Sequence, residues 1–79
     1  MDAHRLGEIM RYHRKKGSLT QLELASLAGV GKTVVYDLEK GKSTVRLDTV
    51  LKLLKVLNIQ IELRSPLMQS YEETLHEKS

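Results

Sequence analysis

Residues 20–42 have the sequence TQLELASLAGVGKTVVYDLEKGK, in which capping residues, apolar residues and glycines follow one another at informative distances. The hydroxyl of Thr20 can cap a helix, and Glu23 can reach back to the Thr20 backbone N–H to complete a capping box. Gly29 falls where this helix must end and the chain must turn sharply, and Gly41 can end a second helix. The stretch therefore predicts a helix-turn-helix, two short helices joined by a tight turn.

Apolar residues at helical spacing extend this prediction to both sides of the motif. The predicted helices span residues 4–16, 20–27, 31–39 and 47–57. The positions predicted to face a common core are Leu6, Ile9, Met10, His13, Leu24, Ala25, Ala28, Val30, Val35, Leu38, Leu47, Val50, Leu51, Leu54 and Leu57. Lys52 and Lys55 are expected to point outward from the last of these helices, and Asn58 is expected to end it.

Residues 59–64 change to a period of two, because Ile59, Ile61 and Leu63 alternate with polar residues. This alternation is typical of a half-buried β-strand. Since every other apolar segment has helical spacing, the strand would have to pair with another chain, most simply its own copy in an antiparallel ribbon. A continuation of the preceding helix and a loose extended arm are the alternatives. Residues 65–79 have no clear pattern and are expected to form a flexible tail.

The composition limits both the size and the chemistry of the fold. Seventy-nine residues fit one small domain, and its core must be aliphatic because the sequence has no Phe or Trp. The chain has no Cys, and His4 and His13 would lie on opposite helix faces, so neither a disulfide nor a metal site is expected. No apolar run is long enough to span a membrane. The sequence GVGKT at residues 29–33 lacks the first glycine of a phosphate-binding loop, and no cofactor is expected. These features indicate a cytoplasmic protein that is not an enzyme.

Charge is distributed unevenly along the chain. Residues 1–64 carry a net charge of +5, whereas residues 65–79 carry −2. A basic body suits a polyanion such as DNA, although a charge of this size also serves solubility. Its coincidence with a helix-turn-helix favours DNA.

Several short sequences within residues 20–42 together resemble the lambda-repressor-like, Xre-type helix-turn-helix family: the Thr-Gln start, the Leu-Ala pair, the Ala-Gly-Val turn and the Leu-Glu-Lys-Gly end. The resemblance covers most of residues 4–57. Residues 43–64, STVRLDTVLKLLKVLNIQIELR, are similar to the HipB-type branch, whose members add a β-strand after the helical domain. Together, these two resemblances imply an all-α bundle of four to five helices with a short dimerising strand. The expected divisions are a DNA-binding domain at 1–58, a dimerisation strand at 59–64 and the tail at 65–79.

The second helix of a helix-turn-helix enters the major groove of DNA, and its outward N-terminal residues contact base edges. Here those residues are Lys32, Thr33, Tyr36 and Asp37. The resemblance implies that Lys32, Thr33 and Asp37 read the bases. Lys32 can donate to guanine, Thr33 can bond a base or contact a thymine methyl, and Asp37 can accept from cytosine. As alternatives, Lys32 neutralises a phosphate, Thr33 caps the helix, or Asp37 pairs with a lysine.

Phosphate contacts are expected from the flanks of the recognition helix. The residues assigned to them are Gln21, Gly31, Lys40, Lys42, Ser43 and Arg46. The resemblance implies that Gln21, at the start of the first motif helix, binds a backbone phosphate, and helix N-termini suit anions. Arg14, Lys15 and Lys16 form a second basic cluster, for which DNA contact and simple solubility are equally expected.

The resemblance also implies a function. A symmetric homodimer would place two recognition helices about 34 Å apart on a palindromic operator of double-stranded DNA. The expected function is repression of the chain's own operon, and the HipB-type branch implies an antitoxin that binds a HipA-type kinase toxin. One alternative is a stand-alone Xre-type or phage-like repressor without a toxin. Another is a protein-interaction adaptor that has lost DNA binding.

Overall fold

The computed structural model describes residues 1–77, and these residues form five helices. The helices are α1 (Ala3–Lys16), α2 (Gln21–Ala28), α3 (Lys32–Glu39), α4 (Leu47–Val56) and α5 (Met68–Glu77). Helix α3 packs against both α1 and α2, and α2 also packs against α4. None of the helices in residues 1–77 is long and apolar enough to cross a membrane. The five helices and their packing confirm the expected all-α helix-turn-helix bundle.

The ends of α2 form as the sequence predicted. The Glu23 backbone N–H donates to Thr20 Oγ1 at 3.0 Å, and the Thr20 N–H donates to Glu23 Oε1 at 2.9 Å. These two bonds are the expected capping box. At the other end Gly29 has φ +70°, and the Val30 N–H donates to the Ala25 carbonyl at 2.9 Å. The left-handed turn redirects the chain into α3.

The core lies around the α2–α3 pair, against which α1 packs from the side of α3 and α4 from the side of α2. Its buried apolar residues are Met10, Leu24, Ala25, Val35, Leu38, Leu53 and Leu54. All but Leu53 were predicted to face inward. The half-buried residues that surround them include the predicted Leu6, Ala28, Val30, Val50 and Leu57. An aliphatic core of this kind is held together by burial of apolar surface. Each Å² of apolar surface removed from water contributes about 25 cal/mol to the stability of the fold.

One prediction for α1 was wrong. His13 was expected to face the core, but it is exposed, with its Nδ1 atom 2.7 Å from the Ile9 carbonyl oxygen. Arg14, one residue later, is buried instead. The helical spacing from Met10 allows either residue to continue the inward face, and Arg14 takes that position because a carboxylate meets it there.

Two predictions for α4 were also wrong. Leu47 and Leu51 were expected to face the core, but they are 70% and 47% exposed, and Leu53 is buried. Helix α4 has two overlapping apolar rows at helical spacing, and packing against α2 buries only one of them. Lys52 and Lys55 point outward, as predicted.

Residues 59–67 follow α4 without regular structure, and no β-ladder forms within residues 1–77. Asn58 has φ +58° and ends α4 as predicted, and the Ile59 N–H donates to the Leu54 carbonyl at 2.9 Å. Pairing of residues 59–64 with a second chain stays a prediction. Ile59 is half-buried, but Ile61 and Leu63 are 53% and 74% exposed.

The segment expected to be a patternless tail contains helix α5, which corrects that part of the prediction. Residues 78 and 79 of the predicted tail lie outside the described residues. None of the residues described in α5 is buried. The radius of gyration is 15.2 Å, against about 12 Å for a compact chain of this length. The molecule is therefore a compact body with an extended arm.

Helices α1 and α3 approach each other closely at Gly7, which the sequence analysis did not single out. A Cβ atom added to Gly7 would lie 2.1 Å from the Leu38 carbonyl oxygen and 3.2 Å from the Glu39 Cα. Both are backbone atoms, so the two helices would have to separate to make room.

We expect Gly7→Ala to lower the free energy of unfolding by about 2–3 kcal/mol, because overpacking at this contact outweighs the helix preference of alanine. Gly17→Ala is the matched control, since its nearest contact would be an ordinary 3.4 Å and its φ of −82° suits alanine. The control should leave stability unchanged or raise it by up to about 1 kcal/mol. Chemical denaturation measures both, and equal effects would contradict the close approach at Gly7.

Candidate nucleic-acid interface

The N-terminal end of α3 is open to solvent. Gly31 precedes the helix and has no side chain with which to cap it, and Lys32 and Thr33 in the first turn are exposed. The backbone N–H groups of a first helical turn have no intrahelical partners, so this end can receive an anion or an acceptor group. Thr33 lies within the helix, and the alternative that it caps α3 is therefore wrong.

Four of the predicted contact residues line one shallow depression at this end of α3. They are Gln21, Lys32, Thr33 and Tyr36. The capping box fixes the start of α2 and so places Gln21 beside the first turn of α3. Tyr36, one turn further along α3, is 49% exposed, and the Lys40 Nζ atom lies 5.5 Å from the centre of its ring. The depression combines amide, hydroxyl and ammonium donors with an aromatic ring.

A buried ion pair fixes the other end of α3. The Arg14 Nε donates to Glu39 Oε2 at 2.6 Å, and Arg14 Nη2 donates to Glu39 Oε1 at 2.9 Å. The side chains of Arg14 and Glu39 are only 9% and 4% exposed. Arg14 Nη1 also donates to the Leu19 carbonyl at 2.8 Å. One guanidinium thus joins α1, the loop before α2 and the last residue of α3 in a bidentate arrangement.

Gln21 belongs to the same network, because its Nε2 donates to Glu39 Oε1 at 3.3 Å. Burial opposes ionisation of the Glu39 carboxyl, but hydrogen bonds from Arg14 and Gln21 and the Arg14 charge outweigh it together. The pKa of Glu39 therefore lies below its ordinary value. The hydrogen bond to Glu39 raises the pKa of Arg14 in turn, despite desolvation. The pair is ionised at neutral pH, and it orients the Gln21 amide.

Arg14 is therefore a structural residue, and its grouping with Lys15 and Lys16 as a surface cluster was wrong. A guanidinium that is buried against a carboxylate cannot reach a phosphate. The sequence carried no signal for this pair, since its members are separated by 25 positions and only the fold brings them together.

Asp37 and Lys42 contact each other. Lys42 Nζ lies 3.5 Å from Asp37 Oδ2, and the Lys42 N–H donates to the Asp37 carbonyl at 3.0 Å. This contact supports the alternative in which Asp37 pairs with a lysine. The Asp37 side chain is 28% exposed, so solvent still reaches it.

The remaining predicted phosphate contacts lie outside the depression. Lys40 ends α3, Ser43 is exposed in the following loop, and Arg46 Nη2 donates to Asp48 Oδ2 at 3.1 Å. The sequence reading missed Arg11, which lines the adjoining depression with Gln21, Tyr36 and Lys40. Arg11 lies three residues before Arg14 and so shares its face of α1. This helical spacing was the signal in the sequence from which the position of Arg11 could have been predicted.

The fold and this surface define a helix-turn-helix DNA-binding domain. The helix-turn-helix family model matches residues 10–63. The chain is 41% identical over 61 residues to the uncharacterized HTH-type transcriptional regulator y4mF of Sinorhizobium fredii (strain NBRC 101917 / NGR234), covering 77% of this chain and 80% of that protein. This chain therefore belongs to the Xre-like helix-turn-helix family and is a DNA-binding transcriptional regulator.

Solved HipB structures have the same fold. A HipB-O4 20mer complex aligns with a TM-score of 0.75 and 24% identity, over 84% of this chain and 93% of that chain. A HipA-HipB-O2-O3 complex aligns with the same TM-score and identity, and over the same shares of the two chains.

The Glu39 network generates a prediction about acid stability. Because the pKa of Glu39 is lowered on folding, its ionised form stabilises the fold above its ordinary pKa of 4.5. That stabilisation is lost as the pH falls through the lowered pKa of the folded state. We expect Glu39→Gln to be less stable at pH 7 and to lose less stability on acidification below pH 4.5 than the parent chain. Urea denaturation from pH 7 to pH 2.5 measures this, and identical acid-dependent losses would contradict the ion pair.

Proposed function

We propose that this chain is a sequence-specific transcriptional repressor that reads the major groove with the first two turns of α3. The observation that carries the proposal is the depression in which Gln21, Lys32, Thr33 and Tyr36 meet at the open end of α3. DNA binding follows from family membership. The positions of these side chains support their assignment as the residues that contact the DNA.

The chemistry of the depression suits a division between backbone and base contacts. Gln21 lies at the N-terminus of α2, where its amide and the adjacent N–H groups can bind a phosphate and set the register of the domain. Lys32 and Thr33 project from the first turn of α3, where guanine acceptors and thymine methyl groups are within reach in a major groove. Tyr36 and Asp37 follow one turn later. Lys40, Lys42, Ser43 and Arg46 would continue along the backbone of the duplex.

A homodimer joined by residues 59–64 would match a palindromic operator. The alternating apolar residues of this segment, of which Ile61 and Leu63 are exposed, support such pairing. Two helix-turn-helix domains related by a two-fold axis bind half-sites about 34 Å apart. Repression of the chain's own operon follows if the palindrome overlaps its promoter.

We further propose that the partner of this regulator is a HipA-type kinase toxin, which would make the chain an antitoxin component. The similarity in fold to HipB in a complex with HipA and DNA supports this partner. The second candidate is a repressor without a toxin, which the identity to an HTH-type transcriptional regulator supports equally.

We expect the double variant Lys32→Ala/Thr33→Ala to bind a selected operator duplex about 10–100-fold more weakly, because two contacts with base edges are lost. Arg5→Ala is the matched control for charge, since Arg5 lies on α1 near Gly7, which contacts the opposite end of α3. The control should change the dissociation constant by about twofold or less. Fluorescence anisotropy at several salt concentrations measures both variants.

The salt series also distinguishes the two roles of Lys32. If Lys32 reads a base, Lys32→Ala reduces discrimination between the operator and a mismatched duplex. If Lys32 neutralises a phosphate, both duplexes lose affinity equally and the slope of log K against log salt falls by about 1. Unchanged operator affinity in the double variant would contradict the site.

The kinase proposal is tested by purifying the tagged chain from its native host and identifying the bound proteins by mass spectrometry. We expect a HipA-type kinase in stoichiometric amount, together with DNA from upstream of the chain's own gene. Recovery of the DNA without a kinase would support the stand-alone repressor, and recovery of a kinase without DNA would support an adaptor.

A further inference from the structure

Two rows of apolar side chains are left uncovered on the described part of the chain. One row lies on α4, where Leu47 and Leu51 are 70% and 47% exposed. The other begins one residue before α5 and consists of Leu67, Tyr71 and Leu75, which are 74%, 58% and 49% exposed. Each row has a spacing of four residues, so each forms a continuous stripe along its helix.

Helix α5 has little support from its own chain. None of its described residues is buried, and the main helix contacts of the body do not involve it. A helix of ten residues is marginal in water unless its apolar face is covered. Its stripe adjoins the predicted ribbon, because Ile61, Leu63, Leu67 and Tyr71 line one open depression.

The predicted ribbon also determines where α5 goes. An antiparallel pairing that keeps all apolar side chains on one face must place residues of equal parity opposite each other. Of the registers that meet this condition, the one centred on Ile61 pairs all three apolar residues of the segment, and it places Ile59 opposite Leu63 of the partner subunit. In this register Arg64 lies opposite Asn58 of the partner subunit. The chain therefore leaves the ribbon beside the end of the partner's α4.

Charge favours the same destination. Helix α5 carries Glu72 and Glu77 on the flanks of its apolar stripe, whereas the outer surface of α4 carries Lys52 and Lys55. A shallow depression beside that surface is lined by residues that include Leu51, Lys55, Ile59 and Ile61. An acidic amphipathic helix is complementary to a surface that combines exposed leucine with lysine.

We infer that the α5 helices are exchanged between the two copies of a dimer, so that α5 of each subunit covers the exposed row of the partner's α4. The occupant of each apolar surface is thus a second copy of this chain. The inference rests on the proposed ribbon at residues 59–64 and extends the dimer interface beyond it. The exchange would also hold the acidic helix α5 on the α4 side of the helical body.

The direct test uses carbodiimide, which joins a carboxylate to a lysine amine in contact with it, on dimers mixed from ¹⁴N- and ¹⁵N-labelled full-length chains. We expect coupled peptides that join Glu72 or Glu77 to Lys52 or Lys55, with one peptide of each isotope. Only uniformly labelled pairs, or no such pairs in a sample that sedimentation shows to be dimeric, would overturn the exchange.

A second test measures the dimer dissociation constant by sedimentation equilibrium. Tyr71→Ala/Leu75→Ala should raise it about tenfold or more, since two interface side chains are lost. Gln69→Ala/Glu73→Ala is the matched control, because these residues lie on the opposite face of α5, where their side chains are 3.4 Å apart. It should change the constant by about twofold or less.

Ile61→Pro separates this inference from the proposed ribbon, because proline removes a donor from the centre of the ladder. We expect Ile61→Pro to be monomeric. If it dimerises normally, the ribbon itself is wrong. If it is monomeric while Tyr71→Ala/Leu75→Ala dimerises like the parent chain, the ribbon stands and the exchange of α5 is overturned.

Discussion

The ion pair between Arg14 and Glu39 is the contact on which the arrangement of the helical body depends. Two charges are taken out of water, and only bidentate geometry with additional hydrogen bonds offsets that cost. The Leu19 carbonyl and the Gln21 amide supply those bonds. Removal of either charged partner would leave a buried, unpaired charge, so the three helices are coupled through this one network.

This network acts at one end of α3, and the side chains proposed to contact DNA project from the other. Helix α3 has eight residues and is therefore only about 12 Å long, so a tilt at Glu39 directly displaces Lys32 and Thr33. The Gly7 contact limits the same tilt from the side of α1. Gln21 joins the two functions, because its amide contacts Glu39 while it lines the depression at the open end of α3.

Local chemistry was predictable from the sequence, and long-range pairing was not. The capping box at Thr20 and the left-handed turn at Gly29 depend on a few neighbouring residues, so their signatures identified both ends of α2. The burial of Arg14 depends on a carboxylate 25 positions away, which no local pattern reports. Periodicity alone could not choose between the two apolar rows of α4, and the row containing Leu47 and Leu51 proved to be the exposed one.

We propose that two copies of this domain, joined through residues 59–64, present α3 to adjacent major grooves. Selection of duplexes bound by the intact chain from a random library, followed by sequencing, tests it most directly. We expect an enriched palindrome with half-site centres separated by about 10 base pairs, one turn of the duplex. Enrichment of a single unrepeated half-site would contradict the symmetric dimer, and no enrichment at all would contradict base reading by α3.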